Sequence, residues 1–283
     1  MSEKKSYDKF LIAEMTWPEV KEVLKETDMV IVSVSSTEQH GPHLPVKTDA
    51  VIGFEVCKKA VARLYEETGI KVVIAPPIHF GMSLHHISFP GTVSLKPWTL
   101  HEVLVDVCWS LSEHGFKKIM IVNSHGGNRV ILDAVARRLF DNTNAMVFVT
   151  NTGISHLDDK LNLAKQALKA GPGGSSHAGE SETSIMMALD EHVREDMIPK
   201  DPVPPRFPLP DYVGWGTAKY SGVNFTGNWN TEELTNDGYL GDPSVACKET
   251  GEKLLEYRVF NMMGFLKQVS ELEITERVYH QPP

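Results

Sequence analysis

Cysteine is scarce in this 283-residue sequence. The three present, Cys57, Cys108 and Cys247, lie far apart, form no CxxC pair and leave one unpaired, so no disulfide framework is expected and a reducing compartment fits. Positive charge is also short: 28 Lys and Arg stand against 37 Asp and Glu, a net charge of −9. That balance argues against a nucleic-acid partner, whose phosphates demand clustered cations. No run of about 18 apolar residues occurs, and the opening Met-Ser-Glu-Lys-Lys-Ser-Tyr-Asp carries no apolar signal core. A soluble, cytoplasmic protein with no membrane partner is expected. Several catalytic signatures are missing as well: GxSxG, HExxH, the Walker A loop and a GxGxxG after a strand. Their absence argues against the serine-esterase, zincin, P-loop and dinucleotide readings, with a serine or cysteine hydrolase kept as a third reading.

What is there reads as a folded α/β chain. The composition, 41% hydrophobic and 23% charged with 21 Gly and 17 Pro, sits near globular averages. A chain of this length buries roughly 70–75% of its unfolded surface, so a metal would serve chemistry rather than folding. Thr16 and Glu19 form a capping box that opens a helix to about Thr27. A buried strand follows at Met29–Val34, then a helix from Ala50 to Glu67 ending at Gly69, and a strand at Lys71–Ala75 stopped by Pro76 and Pro77. A helix from about Pro97 to His114, a strand at Lys118–Val122, a helix from Asn128 to Phe140 and a strand at Ala145–Thr150 continue the alternation. The pattern predicts a mostly parallel sheet flanked by helices, with ligands bound beyond the carboxyl ends of the strands. From Pro199 to Asp242 the chain is rich in Pro, Gly, Asn and aromatics. This reads as a long loop insertion in a single domain spanning 1–283, able to cover a site or pack against another subunit. Gly241, Asp242 and Pro243 then open a last helix to about Leu266.

Chemistry concentrates in three clusters. The first, from Ser36 to Asp49, follows a strand; Glu38 and His40, two apart, leave the same face of an extended chain, and Asp49 opens the next helix. Carboxylates and an imidazole converging at a strand end suit Zn, Mn or Fe. The second, from Asn123 to Asn128, offers His125 as a ligand, two glycines that allow close backbone approach, and Asn128 as a cap for the following helix. The third, from Gly171 to Ser184, places Glu180 and Glu182 in the first turn of a helix, where negative charge is favoured. His177 and Glu180, three apart, are expected to share a helix face, one serving as acid/base and the other reaching a metal. His43, His85 and His86 either line the pocket or are structural, and Cys57, mid-helix among apolar neighbours, reads as core.

Taken in order, Ser-Thr-Glu-Gln-His-Gly-Pro-His-Leu-Pro at 36–45, Asp49, Phe-Pro-Gly-Thr at 89–92, His-Gly-Gly-Asn at 125–128, His-Ala-Gly-Glu-Ser-Glu-Thr-Ser at 177–184 and Gly-Asp-Pro at 241–243 resemble the creatininase (creatinine amidohydrolase) family. The resemblance spans roughly residues 10–265. It implies a three-layer creatininase-like α/β architecture and two divalent ions, with Glu38, Asp49 and His125 on one, His40 and Asp49 on the other, and Asp49 bridging. Creatininase takes a further ligand from a glutamate two residues after the histidine matching His125, where this sequence has Gly127. Glu180 is the preferred replacement and Glu182 the alternative. His177 matches the family's catalytic histidine, and Glu182 is grouped with it as a catalytic residue. The family hydrolyses a ring C–N amide bond; members also deformylate formamides, cleave peptides or open a cyclic diketone, as in hydrolysis of 3-dehydro-scyllo-inosose. The aromatics that creatininase sets on its flat substrate are replaced here by Gly126 and by the Gly-Gly-Ser-Ser segment before His177. A small polar cyclic substrate is therefore expected ahead of creatinine or a formamide, with a homo-hexamer as the assembly. A metal-free binding or scaffold member is the alternative outside enzymes.

Overall fold

Alternation along the strands divides the core into two faces. The computed structural model describes residues 7–152, 166–170, 174–203, 212–214, 217–220, 223–226 and 228–275. In β1 (Met29–Val34) the side chains of Val30, Val32 and Val34 enter one apolar cluster, while those of Met29 and Ile31 enter another. β3 (Lys118–Asn123) does the same with Ile119 and Ile121 against Met120 and Val122, as the period of two requires. With β2 (Val73–Ile74) and β4 (Met146–Asn151) these strands form a parallel sheet in the order β2-β1-β3-β4. Both central strands are buried along their whole length, which is why they read as continuous apolar runs.

Helices cover both faces. α1 (Trp17–Val23) opens on Thr16, whose N–H donates to the Glu19 carboxylate at 2.7 Å. α2 (Thr48–Thr68) ends at Gly69, whose φ of 73° lets its N–H close on the Tyr65 carbonyl. Val56, Ala60 and Leu64 of α2 pack on the first face together with Val259, Met262 and Leu266 of the last helix. α3 (Pro97–Glu113) and α4 (Arg129–Asn142) cover the second face through Leu100, Leu104, Leu132 and Val135. The predicted layers are therefore present, with one strand shorter than expected. Pro76 and Pro77 lack N–H groups, so after Ala75 the ladder resumes only at Ile78, whose N–H donates to Ser33 O at 2.9 Å.

The second half differs more from expectation. α5 (Glu180–Ala188) begins after His177, not at it: Gly179 is the flanking residue, and Ala178 takes a positive φ of 53°. The segment read as one long loop contains the antiparallel strands β5 (Tyr212–Gly214), β6 (Thr217–Tyr220) and β7 (Val223–Thr226), then α6 (Thr231–Leu234). Most of its proline run, at 204–210, lies outside the described residues. Among the described residues no helix is long and apolar enough to cross a membrane. The chain closes on α7 (Lys248–Ser270).

α5 and α7 touch through bare backbone. A Cβ built on Gly251 of α7 would stand 1.8 Å from the Ser184 carbonyl oxygen and 2.9 Å from Ala188 Cβ, whereas one on Gly264 of the same helix would meet nothing within 4 Å. Gly251→Ala is therefore expected to destabilise the protein by about 1–3 kcal/mol through overpacking, and Gly264→Ala to stabilise it by roughly 0.5–1 kcal/mol through helix propensity. Thermal unfolding of the two variants checks this; equal shifts would contradict the close helix contact.

Candidate active site

The chain runs from β1 to β2 on one side and then crosses to β3 on the other, so the loops after β1 and β3 diverge at a switch point, the position where ligands of such sheets bind. Asn128 ties these loops together. Its amide donates to Ser35 O and Asn123 Oδ1, both at 3.1 Å, and its oxygen accepts from Met82 N at 2.8 Å. The expected capping role is thus not the one it takes: its side chain makes no cap hydrogen bond to α4. Ser124 Oγ donates to Asp49 O at 2.9 Å and fixes the start of α2 against the β3 loop. Gly53 makes room, since a Cβ there would lie 2.5 Å from Ser124 Oγ.

Glu38, His40, Asp49 and His125 converge in this crevice, each at least 95% buried. His40 Nδ1 faces the carbonyl oxygen of Glu38 at 3.1 Å, and His125 Nε2 faces that of Met82 at 3.0 Å. A carbonyl only accepts, so each ring keeps a proton on its outer nitrogen and, when neutral, turns a lone pair inward. Those inner nitrogens meet carboxylate oxygens: His40 Nε2 lies 3.4 Å from Asp49 Oδ1 and 3.7 Å from Glu182 Oε2, and His125 Nδ1 lies 3.1 Å from Asp49 Oδ2 and 3.2 Å from Glu38 Oε1. Glu38 Oε2, His40 Nε2 and Asp49 Oδ2 are buried without a hydrogen-bond partner. Imidazole nitrogens and carboxylates converging in a dry crevice favour a cation among them, a proton or a metal ion, and histidines oriented from their far nitrogen are the usual metal ligands. The donor set fits divalent ions of the Zn, Mn or Fe type.

Electrostatics agree with that reading. Burial pulls His40 down, but Asp49, Glu182 and Glu38 outweigh it and push the ring up to about 10. Burial likewise lowers His125, yet Glu38 and Asp49 hold it well above its ordinary value. Burial would raise Glu38 and Asp49, but the imidazoles hold both carboxyls down. Glu182 is raised by burial with Asp49 adding to it. The crevice demands positive charge, and protons compete with metal for the same atoms.

His177 and Glu182 reach the same place. His40, His177 and Glu182 each offer a ligand atom within 4.8 Å of the others, and Glu182 Oε2 also accepts from Ala178 N at 2.6 Å. Glu180 does not reach it. Its fully buried carboxylate accepts from Lys169 N at 2.8 and 3.0 Å and from Ala170 N at 2.8 Å, and it belongs to none of the candidate ligand groups. The expected Glu180 ligand is thereby corrected: four residues separate a turn from its next repeat, and Glu180, two before Glu182, points away toward backbone donors. The shared face expected for His177 and Glu180 fails for a related reason, because His177 precedes the helix.

His85 and His86 do line the crevice. Their ring centroids are 4.3 Å apart, and His86 stacks on His177 at 4.3 Å and His85 on His125 at 5.6 Å. His43 instead links outward, its Nε2 lying 2.9 Å from Thr183 Oγ1. Cys57 is core, its thiol pushed up to about 12 by burial. Two contributors carried no signal of their own in the sequence. Gln39, between two ligand residues, bridges His86 and His177. Arg258, reaching in from α7, donates to Ser181 Oγ at 3.2 Å beside Glu182.

The creatininase (creatinine amidohydrolase) family model matches residues 13–266. A mycofactocin precursor peptide peptidase of Mycolicibacterium smegmatis is 31% identical over 229 residues, covering 80% of this chain and 79% of that protein. A 3-dehydro-scyllo-inosose hydrolase of Thermotoga maritima is 32% identical over 183 residues, covering 62% of this chain and 54% of that protein. A solved creatinine amidohydrolase (creatininase) superposes with a TM-score of 0.74 at 23% identity, covering 93% of this chain and 99% of the other, a likeness that shows the fold. The chain belongs to the creatininase family of hydrolases.

Proposed function

We propose that this chain is a two-metal amidohydrolase acting on a small polar substrate, with Glu38, Asp49 and His125 holding one divalent ion and His40, Asp49 and Glu182 the other. The observation that carries the reading is the pair of imidazoles, each tied to a carbonyl by its outer nitrogen and aimed at carboxylate oxygens by its inner one. Two ions bound there supply an acidified water and a polarised carbonyl. The chain's own residues do the rest. Asp49 spans both ligand sets through its two oxygens. His177, whose Nδ1 lies 3.7 Å from Glu38 Oε1, is the group beside both ligand sets that would carry a proton to the departing nitrogen.

A polar substrate is supported by what surrounds the ligands. A Cβ at Gly126, next to His125, would meet nothing within 4 Å, so the crevice is open there where an aromatic would close it. Ser175 Oγ, two residues before His177, is buried without a partner. The peptidase relative supports an amide as the scissile bond. The inosose hydrolase relative supports a second reading, hydrolysis of a C–C bond in a cyclic diketone.

Elemental analysis tests the metal assignment. The wild-type chain is expected to carry about two ions, Glu182→Ala to fall toward one, and Glu180→Ala to keep both while losing stability by about 1–3 kcal/mol per backbone donor left unpaired. No metal in the reconstituted wild type would leave only a binding or scaffold role. His177→Asn should retain its metal and lose about 10²–10⁴ in kcat; retained kcat would remove His177 from proton transfer. The substrate screen pairs cyclic amides, formamides and short peptides with cyclic diketones. Turnover of amides alone supports the proposal, and turnover of diketones alone transfers it to C–C hydrolysis.

A further inference from the structure

The space that Gly127 leaves beside His125 is filled by the ring of His85. A Cβ built on Gly127 would stand 2.5 Å from His125 Nε2 and 2.9 Å from His85 Cε1, so the bare backbone lets the two imidazoles lie side by side. Their planes differ by 15°, with centroids 5.6 Å apart. Glu38, His85 and His125 each offer a ligand atom within 4.8 Å of the others, close to the span of one ion about 2.0–2.2 Å from each of them. Asp49 joins the group through its Oδ2, 3.1 Å from His125 Nδ1.

The local backbone explains why His85 faces this way. It lies on a single 3₁₀ turn, Leu84–His86, in the loop after β2. Side chains three apart eclipse one another in such a turn, so Leu84 and Ile87 share the outer face, 67% and 53% exposed, and the two histidines between them are left to the crevice. The turn is fastened to its neighbours. Ser83 N donates to Ser94 Oγ at 2.9 Å, and Ser83 Oγ meets Ser36 Oγ of the loop that carries Glu38. Gly81 approaches that loop so closely that a Cβ would stand 2.4 Å from the Ser35 carbonyl oxygen. His85 is thereby held against the loops after β1 and β3 at once.

We propose that His85 is a fourth protein ligand of the ion held by Glu38, Asp49 and His125, which makes that position richer in nitrogen than its neighbour. The inference rests on the two-metal reading and adds a residue to it. Two imidazoles with two carboxylates at one position, and one imidazole with two carboxylates from His40, Asp49 and Glu182 at the other, are unlike donor sets. Imidazole suits Zn and Fe, whereas carboxylates favour harder ions such as Mn. The position that includes His85 therefore favours Zn²⁺ over Mn²⁺ more strongly than the other does.

Metal binding by the full-length protein tests this without turnover. Zn²⁺ affinities of wild type, His85→Ala and His85→Glu are measured by chelator competition, and each protein is loaded with Mn²⁺ and challenged with Zn²⁺. Wild type should carry about two ions with unequal preference for Zn²⁺. In His85→Ala one affinity should fall by more than the about 10–100-fold that loss of an outer partner costs. His85→Glu should recover binding and shift that position toward Mn²⁺, a rescue that a merely structural role does not produce. Proton spectra of the Co²⁺-loaded protein give a second readout: the ring signals lost in His85→Ala should be contact-shifted, as only a ring bonded to the ion is. Wild-type Zn²⁺ affinities in His85→Ala, a His85 ring without contact shift, or an unchanged preference between Mn²⁺ and Zn²⁺ in His85→Glu would overturn the inference and leave the two-metal reading standing. No ion in the reconstituted wild type would overturn both.

Discussion

The organisation of this protein turns on concentrated negative charge placed where the backbone has no water to offer. Glu38, Asp49 and Glu182 converge at the carboxyl ends of β1 and β3, and the imidazoles of His40 and His125 approach them from the inside. Taking one ionised carboxylate out of water costs several kcal/mol even after relaxation, and here they share a crevice. Protons relieve part of that cost, as the upward displacement of His40 and His125 shows. A divalent cation relieves it more completely because it faces several oxygens and lone pairs at once, and that is the difference between a strained cluster and a working centre.

The rest of the fold holds this charge still. The apolar faces of the sheet supply the framework, but the fine placement comes from a few polar ties and missing side chains. Asn128 gathers Ser35, Met82 and Asn123 with a single amide, and Ser124 anchors Asp49 through its backbone. Gly53 admits Ser124, Gly238 admits Gln39 and Gly251 admits the start of α5's C-terminal turn. Each of these glycines is a close approach that any Cβ would block. The site therefore depends on surface complementarity between loops and helices that are distant in sequence.

That dependence marks the limit of what the sequence discloses. β1, β3 and the helices around them are legible because burial imposes a period of two on strands and 3.6 on helices, and Thr16, Gly69 and Pro97 punctuate them. The convergence of Glu38, His40, Asp49 and His125 is legible too, since parallel strands deliver their following loops to one edge. Gln39 is not, because an amide has no charge or metal preference to draw attention. The strands between 199 and 242 are hidden for a similar reason: at three and four residues they are too short to establish a period.

Glu180 and Glu182 show the same limit in its sharpest form. Both lie in the first turn of α5, and both satisfy the preference of a helix N-terminus for negative charge. Two residues apart on a helix means about 200° apart around its axis, so one can face the crevice only if the other faces away. Nothing within the segment says which. The decision is made by Lys169 and Ala170, whose backbone N–H groups stand on the far side and need an acceptor that a buried loop must provide. Glu180 answers that need, and the register it fixes turns Glu182 toward His40. A backbone requirement outside the site thus selects the residue inside it.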